Sequence, residues 1–288
     1  MIVNKIVHEL HAASFGKLLL HGKLERLGER DDDTTRMLAD VLDDTARHRF
    51  SNDEKQWIDK IESLRSSLRR SCEEILITDF GAGAYTYNYS DAEGEKRIVH
   101  KTVGRVCRDS SESAKWARLL FHFIRYIQPT VCLELGTSLG FSAAYQAAAL
   151  ALNEAGKLIT LEGAELLAEL ARKNFRTLGL MNVEVIVGRF QDTLEGVLQK
   201  NHPVDYAFVD GHHQEKATVQ YFKQIEPYLS ENAILAFSDI SWSSGMQCAW
   251  RYIKNDKHMR IVLDLFDVGV CFYSTSTIRQ KEIFTFAL

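Results

Sequence analysis

From Thr130 onward the chain alternates strictly between short apolar runs and helical stretches, and few architectures accommodate that alternation. The runs VCLEL, LITLE, VEVIV, VDYAFVD and AILAFSD have the length and composition of buried strands. Between them, stretches such as 141–153, 164–178, 214–229 and 244–255 carry helical patterning. Strands separated by helices form βαβ units, which build a mostly parallel sheet covered by helices. The tail departs from this rule. RIVLDLF and GVCFYS are separated only by Asp267 and Val268, so this last pairing is expected to be antiparallel.

The first 108 residues read differently, as a helical N-terminal extension with an irregular loop region, followed by one domain over 109–288. Ser51 and Glu54 have capping-box spacing. Trp57, Ile58, Ile61, Leu64 and Leu68 then recur at helical period. Earlier, Leu18, Leu19 and Leu24 precede the charged breaker GERDDD, and Met37, Leu38, Val41 and Leu42 follow it. In 73–108, ILITDF reads as a short strand and YTYNYSDAEGEK as an exposed loop or hairpin end. A helix over 111–127 is expected next, capped by Ser110 or Ser111 and stopped by Pro129. The extension is expected to bury a face of that helix, cap the acceptor side of a pocket, or form a homodimer contact.

A formal net charge of −4 argues against a nucleic-acid partner, because phosphate binding needs a basic face. No apolar run approaches the ~20 residues that span a bilayer, so no membrane partner is expected. The five cysteines are scattered without a CxxC pair, and two lie in apolar runs, which suits reduced thiols in a cytoplasmic protein.

The residues that carry chemistry fall at strand ends. VCLELGTSLGFSAA places Glu134 near the end of the first strand, and Gly136 and Gly140 then bracket a tight turn that opens a helix. Ligands of open α/β sheets bind outside the carboxyl ends of the strands. The next strand ends in Glu162-Gly163, where a carboxylate can accept both hydroxyls of a ribose. The third leads into GRFQD, whose Phe190 can lie on a purine face and whose Gln191 can bond its edge. The fourth ends in Asp210-Gly211-His212-His213 and the fifth in Ser238-Asp239.

In order and spacing, ELGTSLGFS, TLEG, GRFQD and FVDGHH resemble the cofactor motifs of class I S-adenosylmethionine-dependent methyltransferases, most nearly the small-molecule O-methyltransferase branch. The fold implied is a Rossmann-like, doubly wound, seven-stranded mostly parallel sheet with an antiparallel last strand. The cofactor implied is S-adenosylmethionine, with Glu134, Gly136, Ser138, Gly140 and Ser142 around its methionine moiety. Glu162 and Gly163 would lie at the ribose, Phe190 and Gln191 at the adenine, and Asp210 beside the cofactor. The turn is GxxxG and lacks the GxGxxG of a pyrophosphate cradle, which favours this cofactor over NAD.

The same resemblance implies a catalytic pair and a cation. His213 lies three residues after Asp210, where the family keeps its general base, and it is expected to take the acceptor's hydroxyl proton. Asp210 with the end of strand five would hold Mg2+ or another divalent cation. That end is typically Asp-Asn or Asp-Asp, whereas here it is Ser238-Asp239. Either Asp210 and Asp239 hold the ion, or Asp210 contacts cofactor or substrate directly and Asp239 is held by hydrogen bonds. The activity expected is methyl transfer to a hydroxyl of a small-molecule acceptor. Alternatives are N-methylation, metal-free O-methylation, or a non-catalytic binding module. Trp242 is a candidate pocket wall, with Met246 and Trp250 a buried helix face. DFGAGA at 79–84 reads as a loop, with a place over the site mouth as its functional alternative.

Overall fold

The structure, a computed structural model, describes residues 29, 32–80, 97–276 and 281–286. Leu18, Leu19 and Leu24, part of GERDDD, residues 81–84 of DFGAGA and all of YTYNYSDAEGEK lie outside the described residues.

Two helices come first, α1 (Asp33–Arg47) and α2 (Asn52–Arg69). Ser51 caps α2 as its spacing predicts: its hydroxyl accepts from Glu54 N, and the Glu54 carboxylate accepts from Ser51 N at 2.8 Å. In the less regular stretch ILITDF forms the expected strand as far as Asp79, within β1 (Glu74–Asp79), which pairs antiparallel with β2 (Arg97–Thr102), and a short helix, α3 (Val103–Asp109), follows. Helix α4 (Ala114–Ile127) begins later than expected, capped by Ser113, whose hydroxyl accepts from Trp116 N. Ser110 instead caps the C-terminus of α3, its N–H donating to Val106 O, because that helix runs on to Asp109.

The alternating segment folds as β3 (Val131–Leu135), α5 (Phe141–Leu152), β4 (Lys157–Glu162), α6 (Glu165–Leu178), β5 (Val183–Val187), α7 (Phe190–Lys200), β6 (Val204–Val209), α8 (Glu215–Ile225), β7 (Leu229–Phe237) and α9 (Ser244–Lys254). Three strands close the chain: β8 (Met259–Asp264), β9 (Gly269–Tyr273) and β10 (Glu282–Thr285). The sheet order is β10-β8-β9-β7-β6-β3-β4-β5, with β9 antiparallel to both its neighbours and the other pairs parallel.

The antiparallel pairing expected of RIVLDLF and GVCFYS is that of β8 with β9, and among the described residues the sheet gains one further strand, for eight in all. The extra strand, EIFT, is four residues long, too short for period-two patterning to separate it from a loop. It sits at the edge, parallel to β8.

Alternation along each strand sorts side chains into two apolar layers. Cys132, Leu158, Tyr206 and Ile234 face α5 and α6, whereas Leu133, Leu135, Leu161 and Phe237 face α7, α8 and α9. Helix α5 is apolar almost all round, and that is what burial on every side requires. It lies between the sheet and α2 and α4, and Leu38, Leu42, Ile58 and Ile61 of the extension join this same core. The N-terminal helices thus act as scaffold for α4 and α5. All five cysteines are free, with Cys132 and Cys271 buried in β3 and β9. Among the described residues no helix is long and apolar enough to cross a membrane.

One buried histidine makes this scaffold sensitive to acid. His122 on α4 stacks on Phe50 at 4.6 Å, and burial holds its pKa down to about 4. In the unfolded chain the imidazole protonates below about 6.5. The folded chain keeps it neutral, so this contribution to stability is lost as pH falls from about 6.5 towards 4. His122→Phe keeps the stack and removes the titration. Between pH 7 and pH 5 the parent should lose about 2 kcal/mol more than the variant in urea unfolding. Equal losses would show that His122 does not titrate in this way.

Candidate active site

The strand order reverses at β3, whose helix α5 crosses to β4 on one side while β6 lies on the other. Such a switch point opens a crevice at the carboxyl ends of the strands. A cleft of about 540 Å³ lies there, lined among others by Gly136, Ser138, Glu162, Phe190, Asp210 and His213.

Close backbone approach explains the first glycine. Gly136 has φ +109°, and a Cβ there would stand 2.0 Å from the Asp210 carbonyl oxygen, so the turn after β3 can pass the end of β6 only without a side chain. Ser138 follows, with its N–H donating to Glu162 Oε2 at 2.7 Å. Glu162 Oε1 accepts from Ala164 N at 2.9 Å, so the carboxylate is fixed by backbone donors from two turns. Burial nevertheless pushes its pKa up. The Ser138 hydroxyl is buried and has no hydrogen-bond partner among the described residues, although its residue lines the cleft. A buried polar atom without a partner on a cleft wall is what a bound polar ligand satisfies.

The remaining expected residues divide. Gly163, Phe190, Gln191, Asp210, His213 and Asp239 line the cleft with Gly136, Ser138 and Glu162. Phe190 opens α7 with its ring against Gly211 and edge-on to Tyr221 at 5.6 Å. Glu134, Gly140 and Ser142, expected around the methionine moiety, instead lie beneath the cleft. Strand alternation turns the Glu134 side chain inward towards α5, fully buried, with Gln146 Nε2 donating at 2.7 Å and Thr160 Oγ1 at 2.5 Å. Ser142 bonds the same carboxylate, whose pKa burial raises to about 7 against the pull of these donors. Gly140 has φ +83° and packs on the Phe175 ring, a helix-start position.

At the other end of the cleft the two histidines separate in role. His212 Nδ1 is tied to the Tyr221 hydroxyl at 2.8 Å. His213 stands between two carboxylates, Nδ1 3.6 Å from Asp239 Oδ2 and Nε2 3.9 Å from Asp210 Oδ1, beyond hydrogen-bond reach of both. One ligand atom each from Asp210, His213 and Asp239 falls within 4.8 Å of the others. Burial lowers the His213 pKa, opposed by Asp239. Burial also raises the Asp210 pKa well above the usual range, helped by the neighbouring Glu112 and Asp239 charges. Trp242 lines the cleft at 53% exposure, with its ring 5.9 Å from His213, while Met246 and Trp250 are buried.

Sequence reasoning missed a whole wall. Ile77, Asp79, Val99 and Lys101 of the β1–β2 pair line the cleft, as does Phe80 just after β1, lying against Gly163. Phe80 belongs to the DFGAGA stretch, so the described part of that stretch lies at the site. Glu112, just before α4, also lines it, and no motif marks this residue.

Residues 133–240 match the family model described as a methyltransferase domain. Similar solved structures include the O-methyltransferase from Bacillus cereus in complex with SAH, at TM-score 0.52 and 20% identity, covering 58% of this chain and 84% of that one. The SAH-bound methyltransferase PaMTH1 of Podospora anserina gives TM-score 0.51 and 20% identity, covering 58% and 81%. No curated protein matches the chain. Residues 133–240 thus resemble a methyltransferase domain, and the sheet has the fold of these solved methyltransferase structures.

Proposed function

We propose that the protein transfers the methyl group of S-adenosylmethionine to a hydroxyl oxygen of a small-molecule acceptor. The observation that carries this reading is the polarity of one cleft: Glu162 with the unpartnered Ser138 hydroxyl at one end, and His213 between Asp210 and Asp239 at the other.

In this reading Glu162 receives the ribose hydroxyls, Ser138 meets a polar atom of the methionine portion, and Phe190 with Gln191 forms the adenine wall. S-adenosylmethionine supplies a methyl carbon already activated by its sulfonium. The protein's work is then alignment and proton removal, and near-attack placement alone is worth up to ~7–11 kcal/mol in intramolecular models. His213 takes the acceptor's proton, its neutral form being favoured by burial. Asp210 and Asp239 suit a hard divalent cation, which would lower the hydroxyl's pKa. Trp242 forms the apolar side of the acceptor space.

The test is incubation with methyl-labelled S-adenosylmethionine and a panel of hydroxylated and amino aromatic compounds. Label recovered as a methyl ether supports the proposal. Label recovered only on nitrogen, or on no acceptor of the panel, contradicts it.

A further inference from the structure

Two glycines of the cleft make room for aromatic rings. Gly163 follows Glu162 at the end of β4, and Gly211 follows Asp210 just after β6. Neither has a positive φ, so the backbone itself does not require glycine at either place. What a side chain would meet is a ring in each case. A Cβ on Gly211 would stand 2.8 Å from Phe190 Cε2. One on Gly163 would stand 2.7 Å from Phe80 Cδ2, and the next nearest atoms, Cε2 and Cγ, belong to the same ring.

Phe190 belongs to the segment that matches the methyltransferase domain, but Phe80 does not. It follows β1 in the N-terminal extension, and β1 packs on α6, the helix that begins just beyond Gly163. The approach is close enough that the Asp79 charge adds to burial in raising the Glu162 pKa. Phe80 is half-buried and, among the described residues, joins neither apolar layer of the sheet. It lines the cleft together with Glu162, Gly163, Ala164 and Phe190. A ring held on backbone at a cleft wall, outside the core, offers its remaining surface to a flat apolar ligand, and a purine base has such a face.

We infer that Phe80 is a second aromatic wall of the adenine subsite, supplied by the extension, and that Gly163 serves the cofactor by seating this ring. This rests on the reading of the cleft as an S-adenosylmethionine site. Phe80 is then a binding residue, and Gly163 a positioning residue that acts through it. The adenine end of the cleft is complete only with the extension attached.

The test uses the full chain, with S-adenosylhomocysteine titrated by calorimetry and the melting temperature of each variant read without ligand. Phe80→Ala should weaken binding about tenfold, the scale of one lost base–aromatic stack, and leave the melting temperature nearly unchanged. Phe80→Tyr keeps the ring and should bind within about threefold of the parent. Gly163→Ala pushes the ring aside and should cost about as much as Phe80→Ala. In the Phe80→Ala background the same glycine substitution meets no ring, so the double variant should bind within about threefold of Phe80→Ala alone. Unchanged affinity in Phe80→Ala, a Phe80→Tyr variant as weak as Phe80→Ala, or a Gly163→Ala cost that persists in full without the ring would overturn the inference. So would a loss of affinity matched by a loss of thermal stability, which would make the ring structural. A parent that binds no S-adenosylhomocysteine would instead overturn the cofactor reading on which the inference rests.

Discussion

Replacing Glu162 with Ala is expected to lower the affinity for S-adenosylhomocysteine about 100-fold or more. Hydrogen bonds to a charged group are worth ~1.5–3 kcal/mol each, and the carboxylate is proposed to accept two from the ribose, so a loss of about two to four orders of magnitude follows. The same carboxylate also fixes the turn, through Ser138 N at 2.7 Å and Ala164 N at 2.9 Å. Its removal leaves those donors unpaired, and some loss of thermal stability should accompany the loss of binding. Glu162→Gln keeps only one of the two backbone bonds, because its NH2 cannot accept from the second donor. It should keep part of the stability and lose roughly tenfold in affinity. Calorimetry with each variant checks this, and an Ala variant that binds as tightly as the parent would remove Glu162 from the ribose.

His213→Ala should show the opposite profile. General-base catalysis contributes typically ~10²–10⁴-fold, so kcat should fall by about that factor while S-adenosylhomocysteine affinity stays within a few-fold. The geometry supports this separation. His213 is held by no hydrogen bond to either neighbouring carboxylate, so truncating it leaves the cofactor end of the cleft intact. His212→Ala is the control, since His212 is bonded to Tyr221 and supports the packing beneath Phe190. A His213 variant that loses cofactor binding in step with turnover would be structural, and one with unchanged kcat would not carry the proton.

Much of the fold was legible because its pattern repeats. Five apolar runs separated by helical stretches leave little besides a parallel doubly wound sheet, and each of those runs is a strand. The features that escaped are local or distant. β10 is too short for periodicity to reveal, and the start of α4 depends on which of three nearby serines α3 leaves free. Glu134 shows the limit of motif position: it sits at a strand end, but the pleat aims it at α5, where Gln146 and Thr160 hold it. The cleft wall from β1 and β2, and Glu112 with it, arises from tertiary packing of the extension against the sheet's open edge of loops. No spacing in the sequence encodes that approach. Phe80 was the nearest signal, lying in the glycine-rich stretch DFGAGA.

The central claim is that this cleft binds S-adenosylmethionine. It is tested most directly by titrating S-adenosylmethionine, S-adenosylhomocysteine and NAD in turn into the purified full chain by calorimetry. Micromolar one-to-one binding of the two sulfur compounds, with none of NAD, is the result predicted here. Binding of NAD, or of none of the three, would contradict it.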